Sequence, residues 1–167
     1  MTDPVTANTS PSVLFVCTGN ICRSPTAHAL LVHKAREAGF SVGVDSAAIS
    51  DEERGNPPDR RSVAEAKRRG IAMPDHRARQ VTAKDFDRFD HVIGLTRAHG
   101  AALRRIAPAH VDKVSLMMDF AGKKDRDVPD PWYGDQAAFV EAFDMIEQGI
   151  DGLLARLRRH HNGRAAE

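Results

Sequence analysis

The chain has 167 residues, of which 41% are hydrophobic and 28% charged, and this length and balance predict one globular domain with a sizeable core. The formal net charge is +1, so no overall field favours nucleic acid or a membrane surface, and we expect neither as a partner. The only two cysteines, Cys17 and Cys22, share one short stretch, which excludes a disulfide scaffold and indicates a reducing, cytoplasmic compartment; no apolar run approaches the ~18 residues of a transmembrane helix.

The ends of the chain are expected to lie outside the packed domain. Residues 1–11 are polar and lack both the basic start and the apolar core of a secretory signal, so we interpret them as a disordered extension. The domain is predicted over residues 12–160, followed by a flexible tail over residues 161–167.

The first predicted elements are a buried strand, a tight loop and a helix start. Val13–Val16 is a continuous apolar run, typical of a parallel strand covered on both faces. Gly19 and Asn20 follow, and these residue types tolerate positive φ. Ser24 and Pro25 indicate a helix start, with a capping hydroxyl before proline at the first helical position. An anion in this loop would meet backbone N–H groups and the positive end of a helix dipole.

Two side chains add chemistry to this loop. Cys17 follows the strand at the edge where open α/β sheets place their ligands, and the same N–H groups would favour its thiolate. Arg23 offers a planar fork that matches two phosphate oxygens, and Ser24 can donate to the sulfur. The alternatives are a small core cysteine and a nucleotide-binding loop, but a P-loop NTPase needs a lysine that is missing here.

Helices and strands alternate along the rest of the chain. Helices are predicted over Pro25–Ala38, Asp59–Arg69, a short segment opening at Thr82, Thr96–Ala107 and Gln136–Arg159. Strands are predicted over Val42–Ala47, Asp90–Leu95 and Val111–Leu116, with loops over residues 50–58, 74–80 and 123–135. This alternation favours a parallel sheet with right-handed crossovers.

Two motifs carry a family resemblance. Cys17-Thr-Gly-Asn-Ile-Cys-Arg-Ser-Pro25 resembles the signature loop of the low-molecular-weight protein tyrosine phosphatases, and Asp130-Pro-Trp-Tyr-Gly-Asp135 resembles that family's general-acid loop. They occur in the family's order and at about its spacing, and the resemblance covers roughly Val13 to Leu157. It implies a phosphatase-I-like α/β domain: a four-stranded parallel sheet in the order 2-1-3-4 with helices on both faces. Periodicity alone does not give that order.

The resemblance also implies an activity and its residues. The family hydrolyses phosphotyrosine and aryl phosphates through a cysteinyl-phosphate intermediate, which makes Cys17 the nucleophile, Arg23 the anion clamp and Asp130 the general acid. The phosphate would be bound by the whole loop, namely Thr18, Gly19, Asn20, Ile21, Cys22 and Arg23. No cofactor is implied, and since no His, Cys or carboxylate cluster has metal-ligand spacing in the sequence, we expect no metal.

Supporting residues follow from the same resemblance. Asn20 matches an asparagine that holds a strained turn, and Ser24, Ser46 and His76 match its surroundings. From the residues alone, Ser46 and His76 are equally well interpreted as ordinary loop polar groups. The substrate cleft would be lined by Glu52, Trp132 and Tyr133. A buried core aromatic is the alternative for the last two, although Pro131 and Gly134 favour a loop.

Some positions depart from the family pattern. His28 stands where a glutamate usually follows the loop proline, and Glu52 falls near a usual bulky wall residue. Ala48-Ile49 replaces a usual Gly-Thr, and Leu95-Thr96 a usual Met-Asp. The catalytic set is untouched, so substrate preference is the property these changes put in question.

The sequence also bears on the partners of the protein and on two competing functions. We expect phosphotyrosyl proteins as partners, with a tyrosine kinase as one candidate, and a monomer or weak dimer. An arsenate reductase on the same fold relays oxidation through downstream cysteines, and none follows Cys22. A phosphate-binding module without turnover would not need Cys17, Arg23 and Asp130 together.

Overall fold

The computed structural model describes the backbone of residues 10–166 and the side chains of residues 10–162. The expected disordered extension over residues 1–11 therefore lies outside the described residues except at its last two positions. There, the Pro11 carbonyl accepts a hydrogen bond from the N–H of Gly43 at 2.9 Å. This bond ties the start of the described chain to the edge of the sheet.

The sheet has four parallel strands within residues 10–166: β1 Ser12–Cys17, β2 Gly43–Ala48, β3 His91–Gly94 and β4 Val114–Leu116. Their order is β2-β1-β3-β4, which confirms the predicted fold class and order 2-1-3-4. The helices are α1 Arg23–Glu37, α2 Arg60–Arg68, α3 Asp85–Arg88, α4 Arg97–Ile106 and α5 Gln136–Ala166. Short 3-10 helices span Pro108–Lys113, Met117–Ala121 and Pro131–Tyr133.

Both faces of the sheet are covered, as β1 shows directly. Val13 and Phe15 belong to one core with residues of α1 and α5, whereas Leu14 and Val16 belong to a second core with residues of α3 and α4. All four side chains are fully buried. Alternate residues of a strand point to opposite faces, so a continuous apolar run is what a strand between two helical layers requires.

The predicted boundaries of the fourth strand and of the last helix are wrong. The fourth strand is Val114–Leu116 and does not begin at Val111, because Pro108 opens a 3-10 helix that leaves Val111 46% exposed. The last helix continues beyond Arg159 to Ala166. The flexibility of residues 161–167 stays a prediction, since their backbone is described only through Ala166 and their side chains only through residue 162.

The first helix also begins earlier than predicted. It starts at Arg23, and its N-cap residue, Cys22, makes no side-chain capping bond. Ser24 is not the cap, because its hydroxyl lies against the sulfur of Cys17. None of the helices described is both long and apolar enough to cross a membrane.

Candidate active site

The loop between β1 and α1 is held in an unusual backbone shape. Asn20 has φ 63°, in the left-handed region that asparagine tolerates better than most residues. The carbonyls of Cys17 and Thr18 accept hydrogen bonds from the N–H groups of Ile49 and Ser50 at 2.9 and 3.0 Å. The loop is therefore fixed against the segment that follows β2.

The sulfur of Cys17 is the focus of this loop. The hydroxyl of Ser24 lies 3.0 Å from it, and the backbone N–H groups of Asn20 and Ser24 donate to it at 3.3 and 3.4 Å. Cys17 itself is only 3% exposed. Two N–H dipoles and a hydroxyl aimed at one sulfur stabilise negative charge there, as a thiolate nucleophile requires.

A buried amide network holds the strained turn. Nδ2 of Asn20 donates to the hydroxyls of Ser24 and Ser46 at 2.8 and 2.9 Å. Its Oδ1 accepts the backbone N–H of Arg79 at 3.2 Å and Nε2–H of His76 at 2.8 Å. The structure thus brings together Asn20, Ser24, Ser46 and His76, although Ser46 lies inside β2 and not after it.

Arg23 and Asp130 meet at the open side of the loop. Arg23 is 6% exposed, and its Nη1 donates to the Val128 carbonyl at 2.9 Å while Nη2 donates to the Thr18 hydroxyl at 3.4 Å. Nη2 also lies 3.7 Å from Oδ2 of Asp130, whose side chain is 43% exposed. Oδ1 of Asp130 accepts the N–H of Trp132 at 3.1 Å. The guanidinium is thus fixed from behind and faces the cleft.

The cleft above the loop has a volume of about 150 Å³. Its floor contains Cys17 and Arg23, and Asp130 lies at its side. The expected wall residues all line it: Glu52, Trp132 and Tyr133, with Trp132 42% and Tyr133 90% exposed. The interpretation of Trp132 and Tyr133 as core aromatics is therefore excluded. Their exposure leaves ring surface available to a substrate.

A larger cavity of about 480 Å³ lies between α1, α2 and α5. It is lined by charged side chains that pair with one another, for example Lys34 with Glu147 at 2.8 Å and Arg69 with Asp144 at 2.8 Å. Among the described residues, none of those predicted for catalysis, phosphate binding or the cleft lines it. Size alone is thus a poor guide to the site in this fold.

Several contacts around the cleft have no counterpart in the sequence analysis. The guanidinium of Arg61 lies 5.2 Å from the ring centre of Trp132 and donates to that residue's carbonyl at 3.2 Å. Glu53 lines the cleft beside Glu52. Nε2 of His99 lies 2.9 Å from the Thr18 hydroxyl, and burial, followed by the Arg23 charge, lowers the pKa of His99 to about 4. Arg61 and His99 are remote in sequence from the motifs, and no residue pattern marked them, whereas Glu53 neighbours Glu52, which the sequence analysis placed in the cleft wall.

The fold also brings together three side chains of the kinds that bind metal ions, although they lie far apart in the sequence. One nitrogen of His28, one of His76 and a carboxylate oxygen of Asp45 all lie within 4.8 Å of one another. No sequence spacing marked this cluster, because its residues, 17 and 31 positions apart in sequence, meet only in the folded chain beside β2. This cluster lies outside the cleft described above.

Comparison with known proteins places these features in a family. The family described as low molecular weight phosphotyrosine protein phosphatase matches residues 12–163. A low molecular weight protein-tyrosine-phosphatase of Streptomyces coelicolor is 42% identical over 161 residues, which cover 92% of this chain and 98% of the relative. The human low molecular weight phosphotyrosine protein phosphatase is 40% identical over 150 residues, 87% and 94% of the two chains. The crystal structure of YfkJ from Bacillus subtilis superposes with a TM-score of 0.85 at 35% identity, covering 91% and 97%.

Proposed function

The chain belongs to the low molecular weight phosphotyrosine protein phosphatase family, and from that membership we propose that it hydrolyses phosphotyrosine in proteins, and aryl phosphates, through a cysteinyl-phosphate intermediate. The observation that carries the proposal is the convergence on one cleft of Cys17, Arg23 and Asp130. The sulfur receives two N–H bonds and faces the hydroxyl of Ser24, and the guanidinium lies at the same opening.

The first step transfers the phosphoryl group to the sulfur. The Cys17 thiolate attacks phosphorus, and the phosphorus–oxygen bond to the tyrosyl group breaks as the phosphorus–sulfur bond forms. Loop N–H groups from Thr18 to Arg23 and the Arg23 guanidinium bind the equatorial oxygens, over which negative charge spreads. Asp130 donates its proton to the departing phenolate oxygen, and its position in the same cleft as Cys17 supports that role.

The second step restores the enzyme. The Asp130 carboxylate accepts a proton from a water molecule, which attacks phosphorus and breaks the bond to sulfur. Cys17 leaves as a thiolate, and the hydroxyl of Ser24, 3.0 Å away, supports that leaving group by donating to it. Inorganic phosphate then dissociates from the loop. In this cycle Cys17 forms and breaks the bond to phosphorus, Asp130 donates and then accepts the proton, and Arg23 binds the phosphate oxygens.

The aromatic residues of the cleft support the proposed substrate, and the two free cysteines support the proposed compartment. Trp132 and Tyr133 present aromatic surface beside the loop, which suits stacking on a phenyl ring. We propose phosphotyrosyl proteins as partners, a tyrosine kinase among the candidates. A free thiol nucleophile works only while reduced, and both cysteines are free, which favours the reducing cytoplasm.

The test is an assay combined with substrate trapping. Purified wild-type protein should hydrolyse p-nitrophenyl phosphate and phosphotyrosyl peptides, whereas Cys17→Ser should retain the fold and show less than about a hundredth of the wild-type rate. His33→Gln, a change on the outer part of α1, is the matched control and should keep wild-type turnover. Cys17→Ser or Asp130→Ala should then retain phosphotyrosyl proteins from a lysate. Binding without turnover by the wild type, or turnover by Cys17→Ser, would contradict the proposal.

A further inference from the structure

Three elements each contribute one potential metal ligand to a site beside the Asn20 network. His28 comes from α1, Asp45 from β2 and His76 from the segment before α3, and their ligand atoms lie within 4.8 Å of one another. All three residues are partly buried. Two imidazoles and a carboxylate are a donor set that zinc and related first-row cations bind in proteins.

The hydrogen bonds around His76 leave its second nitrogen facing an oxygen. The Asn20 amide is oriented by the Arg79 N–H, which only its Oδ1 can accept, so Nε2 of His76 must donate to that same oxygen. Nδ1 is then an acceptor in the neutral ring, and it lies 3.7 Å from Oδ1 of Asp45. Two acceptors facing each other are stabilised by a cation between them.

One nitrogen of His28 belongs to the same cluster. Its Nδ1 is buried and has no hydrogen-bond partner among the described residues. Its ring meets that of His76 edge to face, with the centroids 5.8 Å apart. A buried polar atom without a partner is uncommon in folded proteins and calls for an explanation.

We propose that His28, Asp45 and His76 form a binding site for a zinc-like divalent transition-metal cation, with a water molecule as fourth ligand. Zinc bonds of about 2.0–2.1 Å in tetrahedral geometry place neighbouring ligand atoms roughly 3.3 Å apart. The Nδ1 to Oδ1 distance of 3.7 Å is already close to that value. Small side-chain movements bring the remaining atoms, now within 4.8 Å, to it.

The surrounding charges permit a cation. Arg79 donates to Oδ2 of Asp45 at 3.1 Å, but it also forms a two-point pair with Asp85 at 3.0 and 3.1 Å. Arg79 is thus shared between two carboxylates, Asp45 and Asp85, so it does not by itself offset both negative charges beside the site. Oδ1 of Asp45 faces away from that pairing, toward Nδ1 of His76.

The site would act on the phosphate-binding loop through His76. A metal on Nδ1 fixes the ring proton on Nε2, which is the tautomer that donates to Oδ1 of Asn20 at 2.8 Å. Asn20 holds the left-handed turn beneath Cys17. Metal binding therefore stabilises the shape of the loop from behind, without entering the cleft.

The test measures Zn²⁺ binding to the Cys17→Ser protein, because the nucleophilic thiol is itself a zinc ligand. Calorimetric titration with Zn²⁺ should show one site per chain. Adding His28→Gln or Asp45→Asn should weaken it by at least about tenfold, whereas His33→Gln, on the same helix, should leave it unchanged. In long-range proton–nitrogen NMR spectra, Zn²⁺ should shift Nδ1 of His76 while Nε2 stays protonated.

The outcomes are decisive and independent of the phosphatase proposal, since no part of the test measures turnover. Absence of binding, or equal affinity in Cys17→Ser with and without His28→Gln, would overturn the site. Unshifted His76 nitrogens at saturating Zn²⁺ would also overturn it, even if calorimetry detects binding elsewhere. The Asp45→Asn variant and the NMR measurement do not depend on His28→Gln being folded. The proposal can therefore still be refuted if His28→Gln folds poorly.

Discussion

Nη2 of Arg23 lies 3.7 Å from Oδ2 of Asp130, so the proposed anion clamp and the proposed acid face each other across the mouth of one cleft. The two partners are held very differently. Arg23 is buried and bonded to the Val128 carbonyl, whereas Asp130 is 43% exposed and is held mainly through the N–H of Trp132.

The first prediction follows from that role. Asp130→Asn should lower kcat for phosphotyrosyl peptides by about 10²–10⁴, the usual contribution of a positioned acid. The amide oxygen can still accept the N–H of Trp132, so the loop keeps its shape. Steady-state kinetics with a series of aryl phosphates should show a smaller loss as the leaving group becomes more acidic. Equal losses for good and poor leaving groups would remove Asp130 from the acid role.

A second prediction concerns oxidation of the loop. Peroxide should convert the Cys17 thiolate to a sulfenic acid, which the sulfur of Cys22 then attacks, forming a disulfide and releasing water. Burial, then the charges of Asp59, Cys17 and Asp130, raises the pKa of Cys22 to about 12, so Cys22 is a thiol at neutral pH. Since the thiolate is the attacking form, disulfide formation should accelerate as the pH rises from 7 to 9.

Mass spectrometry and recovery of activity by thiol measure this reaction. Wild type should regain its activity after reduction, whereas Cys22→Ser, normalised to its own unoxidised rate, should not, because its Cys17 proceeds to irreversible oxidation. Cys22 is 5% exposed, and inert packing is the alternative. The absence of an intramolecular bond in oxidised wild type would establish that alternative.

The strands, the helices and the loop were predictable because they depend on local patterns, whereas the order of the strands came from the family resemblance. The run Val13–Val16 could only be a strand buried on both faces, and the loop's asparagine marked its left-handed turn. The boundary at Val111 failed because an apolar, β-branched residue has the same signature whether it enters a sheet or remains exposed on a 3-10 turn. The contact of Arg61 with Trp132 joins residues 71 positions apart, and such pairs appear only once the chain has folded.

A third prediction concerns acid stability. Burial, followed by the charge of Arg23, lowers the pKa of His99 from 6.5 to about 4, so between these values the unfolded chain binds more protons than the folded one. Stability is therefore lost as the pH falls through this window, by up to roughly 3 kcal/mol from this group as pH 4 is approached. Urea unfolding of His99→Gln should show a shallower loss between pH 7 and 4.5 than wild type. The matched variant His33→Gln should follow wild type, and identical curves for all three would refute the assignment.

The last prediction concerns the wall of the cleft. Glu52 and Glu53 line it together with Trp132 and Tyr133, so a bound phenyl ring meets carboxylates as well as aromatic rings. A carboxylate neither stacks on a ring nor buries area against it, and it repels a phosphate dianion by an amount that salt screens. Among the described residues that line the cleft, Arg23 is the one arginine; Arg79 pairs instead with Asp45 and Asp85. We therefore expect weak binding of small aryl phosphates and a penalty for acidic residues flanking phosphotyrosine.

Glu52→Trp tests this wall directly. KM for p-nitrophenyl phosphate should fall, because an indole adds stacking and removes a charge, and the penalty for acidic over basic phosphotyrosyl peptides should shrink. The penalty should also be smaller at high salt in wild type, and less salt-dependent in the variant. Asp51→Asn removes a charge on the same turn from a residue that does not line the cleft, so it should leave KM unchanged. Equal effects of the two substitutions would mean that net charge, and not contact at the wall, sets the preference; no effect of either would mean that Glu52 does not meet the substrate.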